Sequence, residues 1–355
     1  MERPPPPGPA APRAAVVVVT WQSAGDVDRC FGSLARARLG GARVIAVDNG
    51  SGDGTAAAIR EGHPWVDLVE AGANLGFAGG CDLGLRRALA DGADFVFLLN
   101  PDTEVEPGFL EAALAAAAAH PRAGAIQSLL LLDPERDRVN TAGNELHFLG
   151  FGACGRFRAA RAAVPAEPRE IAFASGAAVL CRASALAEVG LLDEALFLYQ
   201  EDMDLGWRLR LAGWTSIVAP GSVVFHRYAF SRNPRKYFYL ERNRYLVLGK
   251  LLAPRSLLLL APALLAAELG LLLVAARGGW LREKLRADAA LLRPSTLRRL
   301  AADRRRAQAT RRLPDREVMR PFAAAFEFEG LEGGWLPRLA AGPMRLAWRL
   351  LRPLL

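Results

Sequence analysis

Carboxylates gather in this chain at two points where they could do chemistry. Glu201-Asp202-Met203-Asp204 places three of them in four residues, just ahead of an apolar helical pattern. Capping or the positive end of a helix dipole accounts for one carboxylate there and accounts poorly for three. If an acceptor hydroxyl lies near this helix start, one carboxylate can take its proton as a general base. Asn100-Pro101-Asp102-Thr103 follows the strongly apolar run DFVFLLN. A carboxylate at such a strand end can hold a divalent cation that bridges the phosphates of a nucleotide diphosphate. An N-cap with a proline turn is the plain structural alternative. His226 ends a run of valines and phenylalanine, where it is either an edge residue or an imidazole for the same cation.

Three further segments carry polar groups without deciding their use. Asp48-Asn49-Gly50-Ser51-Gly52-Asp53-Gly54 leaves an apolar run, and Asp48 can accept a hydrogen bond from a base imide or a ribose hydroxyl. A tight Asx-turn explains the same residues equally well. Asn74-Leu75-Gly76-Phe77-Ala78-Gly79-Gly80 opens a helix whose free N–H groups and glycines allow a flat or charged ligand to approach. Arg242 and Arg244 belong to a cationic stretch that can face a phosphate or simply line a solvated helix.

These residues need elements to position them, and the hydrophobic pattern supplies a set. AVVVVTW, RVIAVDN, VDLVE and DFVFLLN read as strands. Helical patterns separate or follow them near 27–37, 54–61, 81–90 and 108–120. That alternation predicts an α/β domain built on a mostly parallel sheet. The polar motifs then fall beyond the strand ends, where open sheets of this kind bind ligands. Residues 124–169 read as less regular, with a hairpin or loop facing the cleft. A helix follows near 183–189, TSIVA and SVVFH read as strand segments, and 236–248 reads as a helix.

Composition excludes several classes. Four cysteines without zinc spacing rule out a disulfide scaffold and a cysteine-rich metal module. The first strand is followed by TWQSAG, so neither a dinucleotide fingerprint nor a Walker loop stands where the fold would need one. The net charge of +8 belongs to the tail, since residues 277–355 hold 18 basic and 8 acidic side chains and the remainder is slightly acidic. A basic tail after an apolar stretch suits anionic lipid headgroups better than nucleic acid. The apolar stretch, 257–276, has one charge, Glu268, and is just long enough to cross a bilayer. Basic residues flank it on both sides, which favours a surface or re-entrant helix over a single span. The opening MERPPPPGPAAPR reads as a disordered leader and not as a signal peptide. The expected division is thus 1–13 leader, 14–249 sheet domain and 250–355 helical, basic, membrane-associated region.

Taken in order, VVVVTW, VDNGSGDGT, NLGFAGGCDLGL, FLLNPDT, the FASGAAVLC to LRLAGW stretch and VVFHRYAFS with KYFYLERNRY resemble a family-2 glycosyltransferase of the GT-A fold. The nearest branch is the bacterial rhamnosyltransferase and galactofuranosyltransferase-like one, and the resemblance covers roughly 14–248. It implies an inverting, metal-dependent transfer of a sugar, rhamnose first, from a nucleotide diphosphate donor. Mg²⁺ or Mn²⁺ is the implied cation. By the resemblance, Asp48 contacts the nucleobase while Thr20, Asn74, Gly76 and Asn100 line the donor site. Asp102 holds the metal and diphosphate with His226, and Asp202 is the base. Gly176, Glu201 and Trp207 lie near the donor sugar or acceptor, with Arg242 or Arg244 near phosphate.

One departure stands out: Asn100 occupies the first acidic position of the family's Asp-x-Asp motif, so it brings no charge. The implied acceptor is a glycan or a polyprenyl-diphosphate-linked saccharide at the cytoplasmic face of the cell membrane, with homo-oligomerisation left open. Two other classes are weighed against this one. A sugar-phosphate nucleotidyltransferase would need a basic nucleotide loop after the first strand, and a non-catalytic membrane scaffold would have no need of Asp102 and Asp202.

Overall fold

The computed structural model describes residues 12–228, 235–324 and 335–355, apart from the side chains of 335–340. The leader up to residue 11 and the end of the VVFHRYAFS segment lie outside the described residues. Four consecutive valines make β1 (Ala14–Thr20) a strand buried on both faces, as a sheet covered by helices on two sides requires. There follow α1 (Val27–Arg36), β2 (Arg43–Asp48), α2 (Thr55–Gly62), β3 (Asp67–Glu70), α3 (Gly76–Ala90) and β4 (Phe95–Leu99). β1 pairs in parallel with β2 and β4, and β2 with β3. The strand order therefore runs 3-2-1-4 and reverses at β1, placing Thr20, Asp48 and Asn100 at the crevice such a reversal opens.

α3 begins at Gly76, a turn and more before the expected start near Cys81. Its glycines serve the sheet. A Cβ at Gly84 would lie 2.3 Å from Val17 Cγ1, and one at Gly80 2.6 Å from Val19 Cγ1. The helix can approach β1 this closely only without those methyl groups.

The second half of the sheet is mixed. β5 (Thr103–Val105), α4 (Phe109–Ala119), β6 (Ala123–Leu132), β7 (Val139–Thr141), β8 (Asn144–Leu146), β9 (Gly152–Cys154) and β10 (Arg169–Ile171) lead to β11 (Ala178–Arg182) and α5 (Ala183–Val189). Next come α6 (Glu201–Leu211), β12 (Thr215–His226) and α7 (Arg235–Leu251). β11 runs antiparallel between β4 and β6, and β12 lies parallel to β6.

The irregular reading of 124–169 is corrected in part. β6 is a ten-residue strand, buried throughout. Its polar Gln127 and Ser128 disguise it, yet both are satisfied inside: Ser128 Oγ lies 2.7 Å from Ser222 Oγ, and Gln127 Oε1 accepts from the Ser175 amide at 2.8 Å. The hairpin expected in this stretch is β8 with β9. TSIVA and SVVFH form one strand, whose register shifts between Ala219 and Val223 around Pro220-Gly221.

Among the described residues, five α-helices follow: α8 (Pro254–Arg277), α9 (Leu281–Leu291), α10 (Pro294–Ala309), α11 (Asp315–Val318) and α12 (Trp335–Leu351). α8 continues through Pro262. α7 runs through residue 249, and Phe148, Trp207, Leu251, Leu260, Phe322 and Trp348 share one core.

Candidate active site

The loops after β2 and β3 are tied into one wall of the crevice. Asp48, 4% exposed, accepts from the Thr20 hydroxyl at 3.3 Å and from the Ser51 amide at 3.1 Å. Asn49 does more than the sequence indicates. Its Oδ1 accepts from the Leu75 amide and its Nδ2 donates to the Gly76 carbonyl, both at 2.9 Å. Asn74 Oδ1 in turn accepts from the Gly76 amide at 2.8 Å. The two motifs are thus bonded to each other before any ligand arrives. Trp21, beside Thr20, leaves 53% of its surface exposed. It is an aromatic face at the strand-end crevice that pattern reasoning passed over.

Asp102 is carried to His226 by strand pairing. β5 runs antiparallel to β12 with Thr103 opposite His226, and the Arg227 amide donates to the Asp102 carbonyl at 2.9 Å. Asp102 Oδ1 lies 3.3 Å from His226 Nε2 without hydrogen-bond geometry. The other ring nitrogen, Nδ1, sits 2.8 Å from Asn140 Oδ1, which fixes the ring. With Nδ1 donating to that oxygen, Nε2 presents a lone pair toward the carboxylate. Asp102 Oδ1 and Asn100 Oδ1 are buried oxygens without hydrogen-bond partners.

Those lone pairs fit a hard divalent cation. Two protein ligands leave most of its coordination to phosphate oxygens and water, as Mg²⁺-type ions accept. Among the described residues no group of three or more His, Cys, Asp or Glu side chains forms a complete cage.

The acidic turn is joined to the same place through the backbone just before β11. The Asn100 amide donates to the Ala177 carbonyl at 2.9 Å, and the neighbouring Gly176 amide donates to Asp202 Oδ2 at 3.2 Å. Asp202 Oδ1 accepts from the Met203 amide at 2.7 Å. Asp202 remains partly open to solvent on a floor otherwise enclosed by protein. Burial raises its pKa above the usual carboxylate range, while the Gly176 and Met203 amides pull it back toward the charged form.

Glu201, 6% exposed, is pushed up to about 8, first by burial and then by the charges of Asp202 and Asp204. At neutral pH it therefore keeps its proton. Asp204 is wholly buried between Arg208 Nε at 2.8 Å and Lys250 Nζ at 2.6 Å, so the third carboxylate is structural.

The loop entering α6 is held in a costly conformation. Phe197, Tyr199 and Gln200 have φ of +66°, +68° and +68°. Buried Asn243 clamps it: Nδ2 faces the carbonyls of Leu196, Leu198 and Tyr199 at 2.9, 3.0 and 2.8 Å. Gly76 is glycine because a Cβ there would meet the Phe197 carbonyl at 2.4 Å.

Three expected site residues stand elsewhere. Trp207 is 1% exposed in the core against Phe322, with ring centroids 4.9 Å apart, so no sugar can reach it. Arg244 is fully buried and paired with Glu241 at 3.0 Å and Glu268 at 3.4 Å, so it offers nothing to an incoming phosphate. Arg242 spends its Nη2 on the Ala195 and Leu196 carbonyls, both at 2.9 Å, and helps Asn243 hold the loop. Thr20, Asp48, Asn74, Gly76, Asn100, Asp102, Gly176, Asp202 and His226 lie in the hydrogen bonds and strand pairings just described, and Glu201 is buried beside Asp202. Asn49 was singled out only as part of its motif, without a role, and Asn140 and Asn243 were missed, because neither stands in a recognisable motif.

A sequence profile described as glycosyltransferase-like family 2 matches residues 12–245. The chain is 35% identical over 243 residues to the N-acetylglucosaminyl-diphospho-decaprenol L-rhamnosyltransferase of Mycobacterium tuberculosis, a match covering 62% of this chain and 79% of that one. It is 27% identical over 255 residues to galactofuranosyltransferase GlfT1 of the same organism, covering 66% and 81%. A mannosyltransferase from Pyrobaculum calidifontis, solved with GDP-Man and Mn²⁺, shares the fold at TM-score 0.50 and 18% identity, covering 84% of this chain and 86% of that one. GalNAc-T7, solved with UDP, GalNAc and Mn²⁺, aligns at TM-score 0.55 and 14% identity over 68% of this chain, which spans about half (48%) of its length. The α/β sheet is therefore a GT-A-like one, and the chain belongs to glycosyltransferase-like family 2, an enzyme of hexosyl transfer.

Proposed function

We propose that this enzyme transfers rhamnose from a nucleoside diphosphate donor, with inversion, to a hydroxyl of a polyprenyl-diphosphate-linked saccharide or glycan in cell-surface polysaccharide synthesis. The reading is supported by the rhamnosyltransferase relative and by one structural observation. The turn carrying Asp102 and the turn carrying Asp202 are joined through Asn100, Ala177 and Gly176. A leaving diphosphate and an attacking hydroxyl can then meet within one crevice.

Thr20, Asp48 and the Asn49-tied loops line the nucleotide side. Asp102 and His226 would hold a divalent cation, which when bound offsets the charge growing on the departing diphosphate. Asp202 takes the proton from the acceptor oxygen as that oxygen forms its bond to the anomeric carbon and the bond to diphosphate breaks. Glu201 stays protonated beside it, so Asp202 is the carboxylate able to serve as base. Gly176 orients that carboxylate by its amide. Asn243 and Arg242 hold the entering loop and so place Glu201 and Asp202.

The test is a donor panel read by nucleotide release, with a polyprenyl-diphosphate-linked N-acetylglucosamine as acceptor. A new glycosidic product made from a deoxythymidine-diphosphate rhamnose donor is expected. Formation of a new nucleotide sugar, or release with no acceptor product, would replace the reading.

A further inference from the structure

The C-terminal helices carry two surface features that sugar transfer does not use. The first is an apolar face on α8. Leu258, Leu265, Leu269 and Leu273 recur at helical spacing and are 76%, 62%, 58% and 53% exposed. The exposed face holds Arg255 at one end and Arg277 at the other, with only apolar residues between. The opposite face is fastened to the protein: Ser256, Leu260, Ala267 and Ala275 are buried. Glu268 on α8 is ion-paired with Lys284 of α9 and Arg244 of α7, and both of these cations have no exposed surface.

The second feature is a cavity of about 650 Å³ beside α11 and α12. Arg316, Arg320, Arg345, Arg349 and Arg352 line it, with Glu317 as the single acid and Trp348 as an apolar wall. Most arginines of the sheet domain bond to a carboxylate or a carbonyl. Among the described residues none of these five guanidiniums does. On α12, which packs against α8, the exposed Leu346 and Leu350 alternate with Arg345 and Arg349, and the short turn after it carries Arg352 and the exposed Leu354.

We propose that the arginine-lined cavity binds the phosphate headgroup of an anionic membrane lipid, and that the leucine face of α8 lies in the same leaflet, so that the enzyme docks on one side of the bilayer without crossing it. Unpaired guanidiniums offer forked donors that match phosphate oxygens, and the leucines between them can enter the acyl boundary. α8, about 36 Å long at 1.5 Å per residue, is long enough to span. Spanning would strip Glu268 from Lys284 and Arg244 and leave buried charges unpaired. The in-plane position keeps those pairs and sets Arg255 and Arg277 at one headgroup depth. The proposal rests on the membrane-side acceptor reading only for its choice of partner.

Vesicle flotation of the full chain tests it without any sugar transfer, so its outcome is separable from that of the reaction. Phosphatidylcholine vesicles and phosphatidylcholine–phosphatidylglycerol vesicles are compared. The wild type is expected to float with the anionic vesicles. Arg345→Gln/Arg349→Gln/Arg352→Gln should lose about a hundredfold in affinity, at about 1 kcal/mol per basic residue near the surface. Arg298→Gln/Arg305→Gln/Arg306→Gln on α10 removes equal charge away from the cavity and should lose much less. Leu265→Asp/Leu269→Asp should abolish flotation, and alkaline carbonate should release the wild type. Arg345, Arg349, the three α10 arginines and both leucines are exposed and Arg352 is half-buried; an unchanged unfolding midpoint confirms that each variant folds. The proposal is overturned by a wild type that ignores anionic vesicles or by equal losses in both arginine triplets. Resistance to carbonate, or a dimer in sedimentation that Leu265→Asp/Leu269→Asp dissociates, would overturn it too.

Discussion

The Gly176 amide donates to Asp202 Oδ2 at 3.2 Å, binding the acidic first turn of α6 to the segment just before β11. Gly176 follows Ser175, whose amide is held by Gln127, and precedes Ala177, whose carbonyl is held by the Asn100 amide. One short stretch of backbone therefore spaces the proposed base from the proposed cation site.

At the cation site, Asp102→Ala should remove metal-dependent donor binding, and His226→Gln should weaken it by about 10–100-fold. Titration of nucleoside diphosphate with and without a chelator measures this. With chelator present, the variants and the wild type should bind alike.

Asn243 acts through the strained loop and touches no substrate. Asn243→Ala leaves the Leu196, Leu198 and Tyr199 carbonyls short of a donor, at a cost of about 1–3 kcal/mol. Turnover should fall while donor affinity is kept, because the loop places Asp202 and not the nucleotide. Equal losses in both would make Asn243 a general stability residue.

Glu201 sets a pH dependence. Its pKa is near 8 in the folded chain against 4.5 ordinarily, so between these values the native state holds a proton that the unfolded chain has released. Stability from this group is present at low pH and is lost as pH rises toward the folded value. Glu201→Gln should be more stable than the wild type by roughly a few kcal/mol at about pH 9, and the gap should close toward about pH 5. Urea unfolding across that range checks the sign.

Gly84→Ala should destabilise by about 1–3 kcal/mol, since the added methyl would lie 2.3 Å from Val17 Cγ1. Thermal unfolding reads the loss. An unshifted midpoint would mean that α3 can move off β1 freely.

Much of this was legible in the sequence where a local pattern fixes the outcome. Apolar β-branched runs marked β1 and β2, and the motifs at their ends fell at the crevice because parallel strands share a direction. β6 was hidden because Gln127 and Ser128 are satisfied by residues far along the chain. Trp207 and Arg244 looked available because a helix start and a basic stretch show composition but not which face is covered. Phe322, just after α11, covers the first, and the carboxylates of α7 and α8 neutralise the second. The glycines at the start of α3 were read for a ligand, whereas Phe197 sets the need at Gly76 and Val19 at Gly80. The asparagine clamps join residues tens of positions apart, which no spacing rule reveals.

The most direct test of the account is Asp202→Asn, measured by single-turnover transfer alongside donor titration. The amide can still accept from Gly176, so donor affinity should hold while transfer falls by about 10²–10⁴-fold, the contribution of a positioned general base. Undiminished transfer, or donor binding lost together with it, would contradict the role given to this carboxylate.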